Sequence, residues 1–175
     1  MKIIMETNRT FLREMDKNDF YELCNILQNI EVMYAYEHSF TKEEVWDWLN
    51  KNIERYNKNG HGLWAVMQKE TNMFLGQCGL TIQKINGKDY LEIGYLFKKD
   101  YWHKGYAMES AIACKEYAFE KLNSKNVYSI IRTNNIASQK VAERVGMKII
   151  DTIVKHYYNI DMPHYIYGIK NMKIK

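Results

Sequence analysis

The sequence lacks the features that usually divide a chain into separate units. It has one proline in 175 residues, Pro163, which we expect in a turn near the C-terminal end, and neither a Pro-, Gly- or Ser-rich linker nor an internal repeat. A chain of this length with 46% hydrophobic residues can bury one sizeable core. We therefore predict a single domain spanning residues 1–175.

Cysteine is scarce, and the residue types that bind metals show no useful spacing. The three cysteines, Cys24, Cys78 and Cys114, are odd in number and fit no paired metal or redox motif. The five histidines show no ligand pairing either. These absences predict reduced thiols in the core of a cytoplasmic protein and argue against a metal site.

Long apolar runs and basic clusters are also missing. No stretch approaches the roughly 20 apolar residues that a membrane-spanning helix requires, and the N-terminal "MKIIMETNRTFL" is too polar for a secretory signal. The net charge of +4 is mildly basic, but the lysines and arginines are scattered rather than gathered into a stripe. The sequence therefore predicts a cytoplasmic protein without membrane or nucleic-acid partners, and its charge is compatible with a small anionic ligand.

The sequence does contain an alternation of strand and helix patterns. Thr41 and Glu44 form a capping box at the start of one helix, and Asn86-Gly87 is a strong hairpin signal between two strands. The patterns predict strands at 9–15, 62–68, 73–85, 89–97, 127–134, 148–160 and 164–170, and helices at 16–27, 41–59, 105–122 and 135–147. This order predicts a mixed α/β (α+β) fold, in which a mostly antiparallel sheet of about seven strands carries about four helices and one parallel crossover follows Phe97.

The stretch "YWHKGYAMESA" (Tyr101–Ala111) places a single glycine, Gly105, where a loop enters a helix. The first N–H groups of a helix have no partner within it, and the helix dipole adds partial positive charge at the same place. Glycine leaves this backbone unshielded, so the junction is suited to bind an anion such as phosphate. An isolated glycine can also be only a flexible joint, and the surrounding sequence has to decide between the two.

Two longer stretches carry a resemblance to a known family. "LEIGYLFKKDYWHKGYAMESA" (91–111) and "RTNNIASQKVAERVGMK" (132–148), on the elements predicted above, resemble the GNAT superfamily of acyl-CoA-dependent N-acetyltransferases, in particular its ribosomal-protein N-terminal acetyltransferase-like (RimJ/RimL-type) branch. The resemblance covers nearly the whole chain. It is most specific over 91–147 and weakest over 29–59, the part that shapes the acceptor site in such enzymes.

The resemblance implies acetyl-CoA as the cosubstrate, no metal, and a GNAT fold whose fourth and fifth strands splay apart. It assigns the pyrophosphate of coenzyme A to backbone N–H groups of a loop formed by His103, Lys104, Gly105, Tyr106, Ala107 and Met108. It assigns the pantetheine arm to the main chain of Tyr95, Leu96 and Phe97. Glycine at 105 would then be required because a side chain would stand where the phosphates lie.

Some positions in and around these motifs depart from the family or allow a second interpretation. Trp102 and His103 replace the family's usual Arg or Gln and the following Gly, which leaves backbone cradling intact but removes any side-chain contribution from the first position. Lys104 either contacts a phosphate or is a solvated surface lysine. Gly94 in mid-strand is consistent with a bulge or a close approach beside the arm, or with simple tolerance of a glycine.

Acetylation of an amine requires removal of a proton from the nucleophile and protonation of the departing thiolate. The resemblance implies Glu92 as the general base, acting through a bound water, although an outward-facing carboxylate in a surface pair would look the same in sequence. It implies that Ser138 protonates or stabilises the thiolate and that Asn135 binds the coenzyme, whereas capping of the next helix would also explain both residues. The tyrosine acid of many family members aligns with Ala142, so that acid is missing here.

The acceptor site is the least defined. The aromatic stretch "NIEVMYAYEHSFT" (29–41) contains Glu31 and Glu37 and either lines a pocket for a cationic amine or only packs in the core. A peptide N-terminus, a polyamine, an aminoglycoside and a small amino compound all remain as acceptors, and the acyl-chain preference and the oligomeric state, a homodimer included, stay open.

The function predicted from these residues is an acetyl-CoA-dependent N-acetyltransferase that acts on a primary amine by direct attack in a ternary complex, since no cysteine occupies a motif position. The alternative is a non-catalytic acyl-CoA-binding sensor module. A sensor would be free to lose Glu92 and Ser138, so the presence of both residues favours the enzyme.

Overall fold

The computed structural model describes residues 2–174, which form one eight-stranded sheet and four α-helices. The strands are β1 (Ile3–Glu6), β2 (Thr10–Arg13), β3 (Leu63–Gln68), β4 (Phe74–Ile85), β5 (Lys88–Phe97), β6 (Asn126–Arg132), β7 (Lys148–Tyr157) and β8 (Ile160–Lys170). The helices are α1 (Phe20–Leu27), α2 (Lys42–Asn59), α3 (Tyr106–Glu120) and α4 (Ile136–Val145). Within this part of the chain, no helix is both long and apolar enough to cross a membrane.

The sheet has the order β1-β2-β3-β4-β5-β6-β8-β7, and every pair is antiparallel except β5 with β6. The mixed, mostly antiparallel fold with a parallel crossover after Phe97 is therefore confirmed. The sheet has one strand more than predicted, because β1 is only four residues long and half-exposed at the sheet edge. Apolar and polar residues alternate too weakly in its local sequence to predict a strand. The strand forms because its backbone pairs with β2.

Each face of the sheet carries one pair of helices. Successive residues of a strand point to opposite faces, and Leu12 accordingly packs in a core with α3 and α4, whereas Phe11 packs in a second core with α1 and α2. We refer to these as the α3–α4 face and the α1–α2 face.

The helix boundaries follow the local signals. Thr41 Oγ1 accepts a hydrogen bond from Glu44 N (3.2 Å) and Glu44 Oε2 accepts one from Thr41 N (2.7 Å), so the predicted capping box of α2 is present. Gly60 ends that helix with φ +73°. At α1 a 3₁₀ turn over Lys17–Asp19, capped by Asp16, precedes the α-helix, so α1 begins four residues later than predicted.

The expectation that Pro163 lies in a turn was wrong. The β7–β8 turn is at Tyr158 and Asn159, both with positive φ, and Pro163 lies inside β8 opposite Val154 of β7. The missing N–H of Pro163 faces Thr133, which follows β6 and donates from its N to Pro163 O at 3.0 Å. The return hydrogen bond that Pro163 cannot donate is replaced by Gln139, whose Nε2 donates to Thr133 O at 2.8 Å.

Strands β5 and β6 separate immediately after they meet. Their parallel pairing consists of Glu92 opposite Tyr128. Beyond this point Ile93–Phe97 continue along β4 without a β6 partner, except that Ser129 Oγ donates to Ile93 O at 2.9 Å. These two strands are the fourth and fifth of the predicted order, so the expected splay is present and opens the sheet in its middle.

Candidate active site

A cleft of about 330 Å³ passes through the sheet where β5 and β6 separate. Its lining comes from both faces, because β5 contributes alternate side chains to each. Glu92 lies opposite Thr81, and Leu96 packs against the α1–α2 core. Because Glu92 and Leu96 are an even number of residues apart on β5, both side chains lie on the α1–α2 face. Tyr95 packs against the α3–α4 core. We call this opening the central cleft.

On the α3–α4 side the start of α4 closes the central cleft. Asn135 is the N-cap of α4, and its Oδ1 accepts from Ser138 N at 3.1 Å and from Tyr34 Oη–H at 2.7 Å. Tyr95 donates from its hydroxyl to Ser138 O at 3.1 Å. The Ser138 hydroxyl lines the cleft and has no hydrogen-bond partner within residues 2–174, so it is available to a ligand. The predicted cap is confirmed, and it presents both polar residues to the cleft.

On the α1–α2 side the carboxylate of Glu92 faces the cleft. Thr81 Oγ1 donates to Glu92 Oε2 at 3.3 Å, and Ile130 N donates to Oε1 at 3.4 Å, which fixes the carboxylate with two weak hydrogen bonds. Burial raises the pKa of Glu92 above its ordinary value, and the charge of Lys155 opposes this effect. Glu92 is therefore not in a surface ion pair, and its carboxyl has the raised pKa of a group suited to take up a proton.

Other titratable side chains also line the central cleft. Burial raises the pKa of Tyr36 above its ordinary range, with the charge of Glu92 adding to the effect. His164 is buried and its pKa is lowered by burial. Its Nδ1 donates to Met162 O at 2.7 Å because a carbonyl can only accept, which leaves Nε2 of a neutral ring as an acceptor. Tyr36 belongs to the aromatic stretch that the sequence offered as a possible pocket wall, whereas His164 belongs to no motif and was missed.

The two acidic residues of the aromatic stretch do not line the central cleft. Glu31 pairs with Lys99 at 2.7 Å on the surface, and Glu37 pairs with Arg132 at 2.6 Å. The stretch instead contributes Tyr36 and two small apolar residues to the wall. The acidic pocket for a cationic amine, one of the two readings left open by the sequence, is therefore not formed by these residues.

The predicted phosphate loop has the backbone of an anion site. His103 (φ +58°) and Gly105 (φ +82°) are both left-handed, and Gly105 is the N-cap of α3. Within the described part of the chain, none of the six main-chain N–H groups from His103 to Met108 has an acceptor. Left-handed residues that lead into a helix N-terminus point such groups in one direction. The loop therefore fits the pyrophosphate that the family resemblance places here.

The outer side of this loop is held by Arg9, which sequence reasoning also missed. Arg9 donates from Nη1 to Lys104 O at 3.0 Å, stacks over the Tyr106 ring at 4.4 Å and forms an ion pair with Glu109 at 2.7 Å. A Cβ on Gly105 would stand 3.4 Å from Arg9 Nη2. The structure thus supplies a reason for glycine besides the expected phosphate clash, namely a left-handed backbone packed against an arginine. Lys104 itself lies over the Tyr101 ring at 5.5 Å.

The structure brings part of the predicted set together. Glu92, Tyr95, Leu96, Asn135 and Ser138 line the central cleft. Phe97 does not: its side chain is buried in the α3–α4 core, and its carbonyl accepts from Trp102 Nε1 at 2.9 Å. The loop residues from His103 to Met108 lie beyond the end of β5 rather than in the cleft lining. The arrangement is that of an elongated site, with an anion loop at one end and a carboxylate at the other.

Gly94 lies on the same face of β5 as Glu92, two residues away, and the β4–β5 register runs through it without a bulge. A Cβ there would meet only Leu63 Cδ2, at 3.6 Å, an ordinary contact. The bulge and the close backbone approach expected at Gly94 are thus absent within the chain. Its lack of a side chain leaves space in the cleft between Glu92 and Leu96.

This space predicts the effect of Gly94→Ala. We expect normal folding, because the added methyl fits against Leu63, and about a tenfold loss of kcat/KM, because the methyl narrows the cleft beside Glu92. Thermal unfolding measures the stability of the variant, and steady-state kinetics measures its kcat/KM. Gly79→Ala on the paired strand is the contrasting variant, since its Cβ would stand 2.0 Å from Gly62 O and should destabilise the fold. Unchanged kinetics for Gly94→Ala would show that the substrates do not use this part of the cleft.

The sequence matches the acetyltransferase (GNAT) domain over residues 9–148. It is 38% identical over 155 residues to the uncharacterised protein YkkB of Bacillus subtilis (strain 168), covering 88% of this chain and 90% of that protein. The GNAT-family acetyltransferase from Bacillus anthracis is 25% identical, with a TM-score of 0.80 and coverage of 96% of this chain and 98% of the other.

A third similar structure is RimL, a ribosomal L7/L12 alpha-N-protein acetyltransferase in complex with coenzyme A. It shares the fold with a TM-score of 0.80 and 16% identity, covering 97% of this chain and 98% of that chain. Family members use acetyl-CoA, and the anion loop and open strand described above fit that molecule. Among residues 2–174, no three side chains of His, Cys, Asp or Glu converge as a metal site would require. The chain belongs to the GNAT family and is an acetyltransferase, with the fold of the RimJ/RimL-like branch among its structural neighbours.

Proposed function

We propose that this GNAT acetyltransferase transfers an acetyl group from acetyl-CoA to a primary amine, either a protein N-terminal α-amine or a small-molecule amine, by direct attack in a ternary complex. The observation that carries the proposal is the central cleft, which is lined by side chains from both faces of the sheet and has Glu92 on one side and Ser138 on the other. Two substrates can therefore meet at the gap between β5 and β6 without exchanging places.

Acetyl-CoA would occupy the α3–α4 side, and when bound it supplies an activated thioester. The six N–H groups of 103–108 would hold its pyrophosphate, and the main chain of Tyr95 and Leu96 would hold its arm along the open edge of β5. The amide nitrogen of Asn135 would contact the coenzyme, since its Oδ1 is already used by the cap and by Tyr34. Phe97 would contribute less than the resemblance implied, because its carbonyl is taken by Trp102.

The amine would enter from the α1–α2 side and lose a proton to Glu92, directly or through a water. The nitrogen lone pair then forms a bond to the acetyl carbon while the bond from that carbon to sulfur breaks. Two protons leave the nitrogen of the protonated amine: the first goes to the carboxylate before attack, and the second, released after the new bond forms, balances the proton that the leaving thiolate takes up. The raised pKa of Glu92 supports this role, because a stronger base abstracts the proton more readily.

Ser138 would protonate or stabilise the thiolate, since its hydroxyl is free and faces the cleft from α4. Ala142, where many relatives carry a tyrosine, is buried in the core one turn further on. Tyr95 already donates to Ser138 O, which leaves Tyr36 and Tyr157 as the other tyrosine hydroxyl groups of the cleft wall.

The positions of the cysteines support direct transfer over a covalent enzyme intermediate. Cys78 and Cys114 are buried in the α3–α4 core with their Sγ atoms 3.6 Å apart, and Cys24 lies on α1. None of the three lines the central cleft. Three unbridged thiols also fit a reducing compartment, which supports a cytoplasmic location.

The experiment that tests the proposal is release of the coenzyme A thiol from acetyl-CoA in the presence of separate amine classes, with mass spectrometry of each product. The panel holds N-terminal peptides, amino acids, spermidine and aminoglycosides. Thiol release that depends on one amine class, with a product 42 Da heavier as one acetyl replaces one hydrogen, is the expected result. Tight acetyl-CoA binding without release from any member would favour the sensor module instead.

A further inference from the structure

The α1–α2 side of the central cleft carries an excess of positive charge. Four cationic side chains line the cleft, namely Lys51, Arg55, Arg132 and Lys155, and Glu92 is the one carboxylate in the lining. Arg132 is neutralised by Glu37 at 2.6 Å. Within residues 2–174, no carboxylate oxygen lies within 4 Å of the other three cations. Three unpaired cations therefore surround the site that an amine must enter.

Arg55 is the least ordinary of the three. It lies on α2 and is half-buried, and its Nη1 donates to Asn52 Oδ1 at 3.1 Å, a neutral partner. Burial lowers the pKa of its guanidinium, while the charge of Glu92 opposes the change. A half-buried guanidinium without an anionic partner is costly in a free protein, so this position suits an anion that arrives with the substrate.

Lys155 reaches the cleft from another part of the chain. It lies on β7 opposite Met162 of β8, which lines the cleft beside it. Its charge acts on Glu92, whose pKa it lowers against the effect of burial. Lysine and arginine from β7 and α2 thus face the same carboxylate from two elements that lie about 100 residues apart in sequence.

The segment between α1 and α2 also covers part of the central cleft. Tyr34 reaches Asn135 at the start of α4, and His38 stacks on Tyr158 of the β7–β8 turn at 4.5 Å between ring centroids. With the Glu37–Arg132 pair, these contacts carry the segment across the gap. The enclosure favours a small acceptor over a folded chain.

We propose that the acceptor is a small primary amine that also carries a carboxylate, which Arg55 and Lys155 bind while the amine faces Glu92. The inference rests on the proposed transferase function and names its substrate class. A polyamine or an aminoglycoside would bring further positive charge into a cationic cleft and is disfavoured. The same cations lower the pKa of a bound ammonium group, so they also assist its deprotonation.

The test compares amino acids with their carboxamides, which differ only in the charge next to the amine. We expect kcat/KM to be at least about tenfold higher for glycine and leucine than for glycinamide and leucinamide, with spermidine poorer still. The amides have the more readily deprotonated amine, so a preference for the carboxylate cannot arise from amine ionisation. Equal or better turnover of the amides, or of spermidine, would overturn the inference and leave the transferase intact. Better turnover of an acidic N-terminal peptide than of the free amino acids would overturn the small-acceptor assignment.

Variants of the two cations show whether they bind the carboxylate. Lys155→Gln and Arg55→Gln should each raise KM for the amino acid about tenfold while KM for its carboxamide and for acetyl-CoA stays within twofold. Arg55→Lys, which keeps the charge, should recover part of the loss. Lys148→Gln on the same strand as Lys155 is the matched control, because Lys148 is exposed and does not line the cleft. An equal change in KM for the amino acid and for its carboxamide would show that Arg55 and Lys155 have only structural roles.

Binding of the products gives a readout that does not need turnover. Calorimetric titration of the protein, saturated with coenzyme A, should detect N-acetylleucine and give an affinity about tenfold weaker for N-acetylleucinamide. If no amine is turned over but this difference is present, the anion site is retained and the transferase function fails. If both ligands bind equally, the anion site is excluded whatever the enzyme acetylates.

Discussion

Gly105→Val is expected to lower the affinity for acetyl-CoA by at least about 100-fold. Gly105 has φ +82°, a conformation that a β-branched residue adopts only under strain of about 1–3 kcal/mol. Relief of that strain would turn the N–H groups of 103–108 away from a common point, and the valine side chain would press on Arg9 as well. Isothermal titration with acetyl-CoA measures the loss.

A variant at a second glycine distinguishes the effect of backbone strain from the loss of the N–H groups that bind the pyrophosphate. Gly87 has φ +77°, close to that of Gly105, and a Cβ there would meet nothing within 4 Å. Gly87→Val should destabilise the fold to a similar extent in thermal unfolding yet bind acetyl-CoA normally, because it lies in the β4–β5 hairpin turn. Gly105→Ala provides a milder change if the valine variant does not fold. A normal isotherm for folded Gly105→Val would remove the loop from coenzyme binding.

Glu92→Gln should lower kcat by about 100-fold near pH 7, the lower end of what a general base contributes. The loss should be greatest just above the raised pKa of Glu92, where the carboxylate is ionised and the amine is still protonated. It should shrink as the pH rises toward the pKa of the free amine, because a neutral amine no longer needs a base. The affinity for acetyl-CoA should stay within twofold, since Glu92 faces the α1–α2 side of the cleft. A pH profile of kcat for both forms is the measurement.

Two further substitutions make this result specific. Asp89→Asn on the same strand is the control carboxylate: Asp89 is exposed and outside the cleft lining, so kcat should not change. His164→Gln addresses the other potential base, whose neutral ring has a free Nε2 in the cleft wall. Collapse of turnover in His164→Gln together with normal turnover in Glu92→Gln would transfer the role of base to His164.

The raised pKa of Glu92 also predicts a stability effect with a definite sign. Between the ordinary pKa of 4.5 and its higher folded value, the folded state holds a proton that the unfolded chain has released, so stability falls as the pH rises through this window. Above this window the ionised carboxylate therefore costs stability. Glu92→Gln should unfold at the same or a higher temperature than the parent at pH 7, with the difference closing toward pH 4. A lower unfolding temperature at pH 7 would contradict the burial of this charge.

Local structure was predictable because its causes lie within a few residues of each other. The capping box of Thr41 and Glu44 forms as the sequence predicts, and Asn135 caps α4 through Ser138 N. The Gly105 junction needs only a left-handed residue before a helix. The short β1 escaped prediction because its stability comes from pairing with β2 rather than from its own pattern. Pro163 was misplaced because a distant side chain, that of Gln139, supplies Thr133 O with the donor that proline lacks.

The charged residues on the acceptor side of the site could not be predicted from local sequence. Lys51 and Arg55 on α2, Glu92 on β5 and Lys155 on β7 meet only because the sheet order brings their elements around one gap. Glu37, which the sequence offers as a ligand for a cationic amine, is instead paired with Arg132. Motifs within one loop or helix thus followed from the amino-acid order, since backbone conformation and capping act over a single turn. The charge of the cleft followed from long-range packing, because electrostatic interactions depend on distances in space and not along the chain.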